Sequence, residues 1–309
     1  MRVGVVIDAT CDLPHSYIES HGLIVLPGHV EFGDASYTDV REPEETLRWY
    51  RRHIGDKSTP GRSVAWGIER IRDLFLEDLI FRFDRVLVLC VSASRGRVFS
   101  HATQASYQIL EGYRERREAV GQTEPFALRV LDTRNVGPGE GILAHEAATL
   151  IEQEAPPFEK LHRTIKDRSR HIVSYLVPND LYFLHNRASR KGENALTLSA
   201  YRVGRWLNLK PVIEMRRGES VMVGRTRGFE RGVSEVLERA RNAIRHGLVR
   251  GTVVASYGGE LQLIRNLPAF EEFEVYAAQQ NIELHLAVMS ATLAINVGPG
   301  AFALAWLED

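Results

Sequence analysis

The chain has 309 residues, with 39 Lys and Arg against 40 Asp and Glu, a net charge of −1 and 44% hydrophobic residues. This is ordinary globular composition, which excludes collagen-like, disordered and coiled-coil classes. It also lacks the basic excess of a protein built for duplex nucleic acid, so no nucleic-acid partner is expected.

At roughly 100–200 residues per domain, the length predicts two domains. The first half alternates short apolar strands with helical patterns. Residues 3–7 and 23–26 read as strands, and Glu42-Pro43 opens a helix to about residue 53, with proline in a tolerated first position. Ser63 is read as the cap of a helix in which Ile68, Ile71, Leu74, Phe75 and Leu79 follow the 3.6-residue period. Residues 86–91 form a strongly apolar strand, 98 to about 117 a single helix, 127–131 a strand and 142–151 a helix. Strands alternating with helices predict a parallel sheet covered on both faces. Ligands of such sheets sit beyond the carboxyl ends of the strands, which marks the loops 8–12, 27–40, 56–63, 92–97 and 132–141.

Ala155-Pro156-Pro157 breaks the pattern and divides a domain 1–157 from a domain 158–309. In the second part, 172–177 is a strand, Asp180 starts a helical turn and 187–194 is polar and loop-like. Residues 211–223 carry a hairpin pattern around Arg217-Gly218. A long helix over 229–246, a strand over 252–255, a helix over 269–279 and a strand over 282–288 follow. The expected class is α/β, a parallel-sheet domain followed by a mixed-sheet domain, with ligand in the cleft between them. Residues 286–307 carry no charge and imitate a membrane span, but Gly298-Pro299-Gly300 would break a helix there. Two buried strands joined through that turn are expected instead. The chain is thus not read as an integral membrane protein. The run after Met1 is too short for a signal peptide, because Asp8 ends it. Two cysteines, Cys11 and Cys90, make no disulfide framework, and a reducing cytoplasm fits both.

The motifs with chemical promise mostly fail. No Gly-Lys-Ser/Thr phosphate loop occurs. Gly139-Glu140-Gly141 with Ala144 has dinucleotide-fingerprint spacing, yet seven residues separate it from the preceding strand. His145-Glu146 begins like a zinc-protease helix, but Thr149 stands where the second histidine is needed. Cys11 has no activating base beside it in sequence, and Asp8 and Asp12 would raise its pKa. The pentapeptide Asn-Val-Gly-Pro-Gly occurs at 135–139 and 296–300 and reads as two turns. Arg95 and Arg97 are more telling. They follow the strongest strand at the start of a helix, where an anion is favoured.

Several of these loops together resemble the DegV family, bacterial fatty-acid-binding proteins of the EDD fold. The resemblance begins at Ile7-Asp8-Ala9-Thr10-Cys11-Asp12-Leu13-Pro14, where the family has Asp-Ser-Thr/Ser-x-Asp-Leu-Pro. It continues through Leu26-Pro27, Lys57-Ser58-Thr59-Pro60 and Val91-Ser92. Further on come Leu207-Asn208-Leu209-Lys210-Pro211-Val212-Ile213, then Gly218 and Gly224-Arg225-Thr226-Arg227, and lastly Gly298-Pro299-Gly300-Ala301. The resemblance implies a long-chain fatty acid, or a similar amphipathic anion, buried between two domains with its carboxylate held by hydroxyls. It implies no cofactor and no catalysis, and in some members a fatty acid kinase as partner. Burying an acyl chain yields about 0.8 kcal/mol per methylene, so affinity needs little reactive chemistry.

The head-group positions depart from the family pattern. Ser92-Ala93-Ser94-Arg95-Gly96-Arg97-Val98 stands where the family has Ser-Ser-x-Leu-Ser-Gly-Thr, so a liganding serine falls at Gly96. The threonine of its Thr-Ser-Gln-Pro motif falls at Lys57, or with a slipped register at Ser58 or Thr59. Its histidine before Gly-Pro-Gly falls at Asn296, and its Gly-Gly-Arg-Ile loop is not recognisable at 187–190. Hydroxyls are lost while Lys57, Arg95 and Arg97 appear. The resemblance therefore implies a ligand set of Lys57, Ser58, Thr59, Ser92, Ser94, Arg95, Arg97, Asn296 and Gly298. The kinase partnership is weakened by the same changes. Two other readings stay open. One is an enzyme or binding protein for a small phosphorylated or carboxylated metabolite, with Asp8, Asp12, Arg95 and Arg97 in a polar cleft. The other is a ligand-free interaction protein with an exposed apolar patch.

Overall fold

The structure is a computed structural model describing residues 2–54, 61–191 and 207–308. Lys57, Ser58 and Thr59 lie outside the described residues. Four strands, β1 (Val3–Asp8), β2 (Ile24–Leu26), β6 (Arg85–Cys90) and β7 (Ala127–Asp132), form a parallel sheet in the order β2-β1-β6-β7. A small antiparallel sheet, β4-β3-β5, joins β3 (Gly28–Phe32), β4 (Ala35–Asp39) and β5 (Arg62–Val64). A six-stranded mixed sheet comprises β8 (Ile172–Val177), β9 (Leu209–Arg216), β10 (Glu219–Arg227), β11 (Thr252–Tyr257), β12 (Glu283–Val288) and β13 (Phe302–Leu307). Its order is β10-β9-β8-β13-β11-β12, and only β11 and β12 run parallel. The apolar runs expected as strands pack on both faces: every residue of β8, β11 and β13 is buried.

One helix, Pro138–Gln153, holds the two large sheets together. It touches β1 and β6 on one side and β8, β11 and β13 on the other. Its Gly141 has no room for a side chain, since a Cβ would come 2.9 Å from the Asp12 carbonyl. The resulting core is continuous from Val5, Leu87 and Leu131 through Leu143 and Ala147 to Val254 and Ala305.

Four local expectations are corrected. Ser63 caps nothing; it lies in β5 opposite Val30, and the helix Ile68–Leu74 starts only after Gly67. The backbone of 62–64 is already committed to the β3 ladder, so the helix begins with its first apolar-periodic residue. The helix expected over 98–117 breaks at Gly112, giving Val98–Gln108 and Tyr113–Ala119 with a short 3₁₀ turn between. The segment 187–191 belongs to the helix Leu181–Lys191 rather than a loop. Finally, β12 and β13 are not joined by a turn alone. The helix Ala291–Val297 lies between them, capped by the Ser290 side chain, which accepts from the Leu293 amide at 3.1 Å.

The repeated pentapeptide serves opposite ends of two helices. At Gly137 (φ 62°) and Pro138 it opens the central helix; at Gly298 (φ 94°) it closes the helix Ala291–Val297.

Candidate functional site

In the order β2-β1-β6-β7 the chain proceeds from β1 to one side and later returns to the other. The switch point therefore lies between the carboxyl ends of β1 and β6. Asp8 ends β1 and bridges this point, its Oδ2 accepting the Val91 amide beyond β6 at 2.6 Å. Above it opens a cavity of about 1010 Å³. It is lined by Leu26, Val64, Val136, Leu176, Leu181, Leu184, Ile213, Met215, Leu293, Val297 and Ala303, so its walls come from all three sheets and the helices between them. Period-two alternation explains how β9 contributes: Ile213 and Met215 face the cavity while Val212 enters the core behind the sheet.

The polar lining is local. Residues 94–98 and His101 form one part, at the start of the helix Val98–Gln108. Its free amide donors and dipole favour an anion. Arg97 occupies the cap position and is exposed. Arg95 Nη2 donates to Ser220 Oγ, and Ser94 Oγ donates to the Gly218 carbonyl at 3.2 Å. These contacts dock the 92–97 loop on the β9–β10 hairpin. Gly218 itself needs its glycine, with φ 88° and a Cβ position only 3.2 Å from Ser92 Oγ. A second polar part holds Ser63 and Asn296, whose Nδ2 reaches Ser63 Oγ at 3.4 Å and the Thr292 carbonyl at 2.9 Å. Trp66 also lines the cavity, with a buried indole N–H that has no hydrogen-bond partner among the described residues. Val221 and Met222 border the cavity yet remain 59% and 47% exposed, so the hairpin edge forms a rim against solvent.

Of the sequence-predicted ligand set, the structure brings Ser94, Arg95, Arg97 and Asn296 to the cavity wall. Ser92 is buried behind it, its Oγ 3.0 Å from Ser94 Oγ, so it supports the loop. Gly298 is buried against Phe183 and is not part of this cavity's lining.

A buried acid network lies at the cavity floor, where Asp8 and Thr10 line the chamber; its members Glu140, Asp39 and Arg41 were missed in sequence. Glu140 Oε1 accepts the Asp8 amide at 3.3 Å, and burial beside Asp8 pushes its pKa well up. Asp8 is also raised by burial, opposed by its hydrogen bonds from Val91 and Thr10. Next to it Asp12 Oδ1 accepts the Ser290 amide at 2.9 Å and lies 3.3 Å from Arg41 Nη2. Burial raises Asp12 to about 6 although Arg41 opposes the shift. Arg41 also donates to the Val288 carbonyl at 2.9 Å. Asp39 Oδ2 accepts the Thr292 amide at 2.9 Å and its hydroxyl at 3.0 Å. These carboxyls are thus tied to backbone donors. The Cys11 thiol is fully buried and pushed up by burial, as a structural residue should be. Glu146 pairs with Arg168 and Arg250, so the His-Glu string supplies no base.

A chamber with apolar walls, a cationic lip and buried acids that accept backbone amides defines a ligand-binding α/β architecture. Comparison with known proteins makes that class specific. The family described as "Uncharacterised protein, DegV family COG1307" matches residues 2–309. A DegV domain-containing protein of Xanthomonas campestris is 38% identical over 309 residues, covering 100% of this chain and 98% of the relative. The chain belongs to the DegV family. A Thermotoga maritima relative named fatty acid-binding protein is 24% identical over 307 residues, covering 97% and 96%. Among solved structures, a stearic acid-binding protein from Eubacterium ventriosum superposes with a TM-score of 0.78 at 19% identity, covering 99% and 98%. That likeness fixes the fold. Among the described residues no helix is long and apolar enough to cross a membrane.

Proposed function

We propose that this chain is a non-catalytic carrier of a long-chain fatty acid or similar amphipathic anion, held between 1–157 and 158–309. The carrying observation is the apolar cavity of about 1010 Å³ with Arg95 and Arg97 at its lip. That volume is at the top of the roughly 300–1,000 Å³ range of small-molecule sites. A tail in this space gains about 0.8 kcal/mol per methylene, and a carboxylate at the start of the helix Val98–Gln108 gains charge-assisted hydrogen bonds. Relatives of the same fold carry names that state fatty-acid binding, which supports the assignment.

In this reading Ser94, Arg95, Arg97 and Asn296 hold the head group, with Lys57, Ser58 and Thr59 completing it. Guanidinium groups take over from the hydroxyls of the family pattern. Catalysis and a cofactor are not invoked, because Asp8, Asp12 and Glu140 are already tied inside the fold. The carrier works in the cytoplasm, and the changed head-group residues weigh against the kinase partnership of some family members.

Organic extraction of the purified chain followed by mass spectrometry tests the assignment. A stoichiometric fatty acid is expected. A protein that neither carries nor takes up a fatty acid, but retains a polar phosphorylated metabolite, would overturn it.

A further inference from the structure

On the far side of the central helix, away from the cavity lining, His145 meets Glu283 and His285 of the edge strand β12. We propose that these three side chains form a binding site for a borderline divalent cation of the Zn²⁺ class, joining the central helix to β12.

The backbone explains the grouping. Glu283 and His285 are two residues apart on a strand, so both point to one face, while Leu284 between them packs into the core behind. That face meets the central helix at His145. His145 Nε2 lies 3.1 Å from Glu283 Oε2, and His285 Nε2 lies 3.0 Å from Glu283 Oε1. One potential ligand atom from each of the three falls within 4.8 Å of the others. Ligands held roughly 2.0–2.1 Å from a tetrahedral ion stand about 3.3 Å apart, a spacing that small side-chain rotations of this group would reach. Among the described residues His285 Nε2 is buried without a well-aligned hydrogen bond, although it lies 3.0 Å from the carboxylate. A ring nitrogen so placed suits a metal better than an N–H···O bond.

The surroundings agree with this use. Tyr17 stacks near His145 at 5.4 Å between ring centroids and stands edge-on to His285 at 4.9 Å. His21 in turn stacks on Tyr17 at 3.8 Å. The Tyr17 hydroxyl lies near Thr149, one turn along the helix from His145. Thr149 is the residue that breaks the zinc-protease pattern in the sequence. The second histidine arrives from β12 instead, across the fold. Glu283 is 56% exposed, which leaves an open side for a water ligand and for entry of the ion. Two imidazoles and one carboxylate select Zn²⁺, Co²⁺ or Ni²⁺ over the hard, oxygen-preferring Mg²⁺.

The test uses the full chain without a histidine tag, stripped with a chelator, titrated with ZnCl₂ by calorimetry and with CoCl₂ by visible absorption. Saturation near one Zn²⁺ per chain is expected, with a rise in Tm and no comparable response to Mg²⁺. Glu283→Gln and His285→Gln, both on the outer strand, should each weaken Zn²⁺ at least about tenfold. Far-UV circular dichroism confirms that each variant is folded. The absence of saturable Zn²⁺ binding, or wild-type affinity in either folded variant, overturns the proposal. Fatty-acid retention is read separately and stands or falls independently.

Discussion

Glu140 Oε2 stands 2.9 Å from Thr10 Oγ1, a hydroxyl that is also 2.7 Å from Asp8 Oδ1. A hydroxyl has one proton to give, so the two contacts cannot both be donated by Thr10. The arrangement closes when Thr10 donates to Asp8 and protonated Glu140 donates to Thr10. The raised pKa of Glu140 has the same sense, with burial as its main cause and the nearby Asp8 charge second.

This assignment sets a pH dependence. A carboxyl whose folded pKa is raised binds more protons folded than unfolded. Its stabilising contribution is present below the unfolded value of about 4.5 and is lost as pH rises toward the folded one. Glu140→Gln keeps a donor toward Thr10 and an acceptor toward the Asp8 amide. The variant should match wild type near pH 5 within about 1 kcal/mol, and gain on it steadily toward pH 8. Urea melts at both pH values measure this. Parallel pH curves for the two proteins would mean that Glu140 titrates normally.

Arg41 offers a test of the neighbouring network. It is buried, holds φ 69° and touches Asp12, while Asp39 accepts its amide at 3.2 Å. Removing one partner of a buried ion pair leaves an uncompensated charge and costs about 3–5 kcal/mol. Arg41→Ala should fall in that range. Adding Asp12→Asn should recover part of the loss, because the introduced carboxamide oxygen can still accept the Ser290 amide while carrying no charge. Chemical denaturation of the single and double variants measures the coupling; strict additivity would exclude it.

Much of this architecture was legible in the sequence because it rests on local pattern. The runs 3–8, 85–90 and 172–177 are apolar enough to be strands buried on both faces, and the order of elements fixes which loops lie at the strand ends beside the cavity. The place of Arg95 and Arg97 at the cavity was legible because they follow such a strand and precede a helix. Residues 291–297 were not, since a short apolar run serves a helix or a strand equally well; Ser290 at its start was the available signal. Arg41 left no trace, because its carbonyl partner Val288 is 247 residues away. Glu140 did leave one: it is the sole acid between Gly137 and His145, in a segment otherwise glycine, proline or apolar.

The two arginines at the cavity lip should differ in how they fail. Arg97 is exposed at the helix start, so Arg97→Ala removes charge with little structural cost. Arg95 also ties its loop to Ser220 on the hairpin. Arg97→Ala should weaken fatty-acid binding about tenfold, near 1.4 kcal/mol, with unchanged Tm. Arg95→Ala should weaken it by at least as much and also lower the apo Tm. Fluorescent fatty-acid displacement and thermal melts separate the two. Unchanged affinity in Arg97→Ala would remove this residue from the head-group site.

Cavity length is tested from the apolar end. Met215 projects from β9 into the chamber, and the strand register places Ser174 of β8 opposite it. Met215→Trp adds volume there without creating a buried charge, and the cavity can take the ring, so the fold should survive. The tail must then shorten or the ligand be lost. Each methylene forced out of the apolar space costs about 0.8 kcal/mol, or about fourfold in affinity. Competition among saturated acids of increasing length should show the optimum moving to shorter chains in the variant. An unchanged length preference, with the variant folded and ligand-bound, would place the tail elsewhere than along β9.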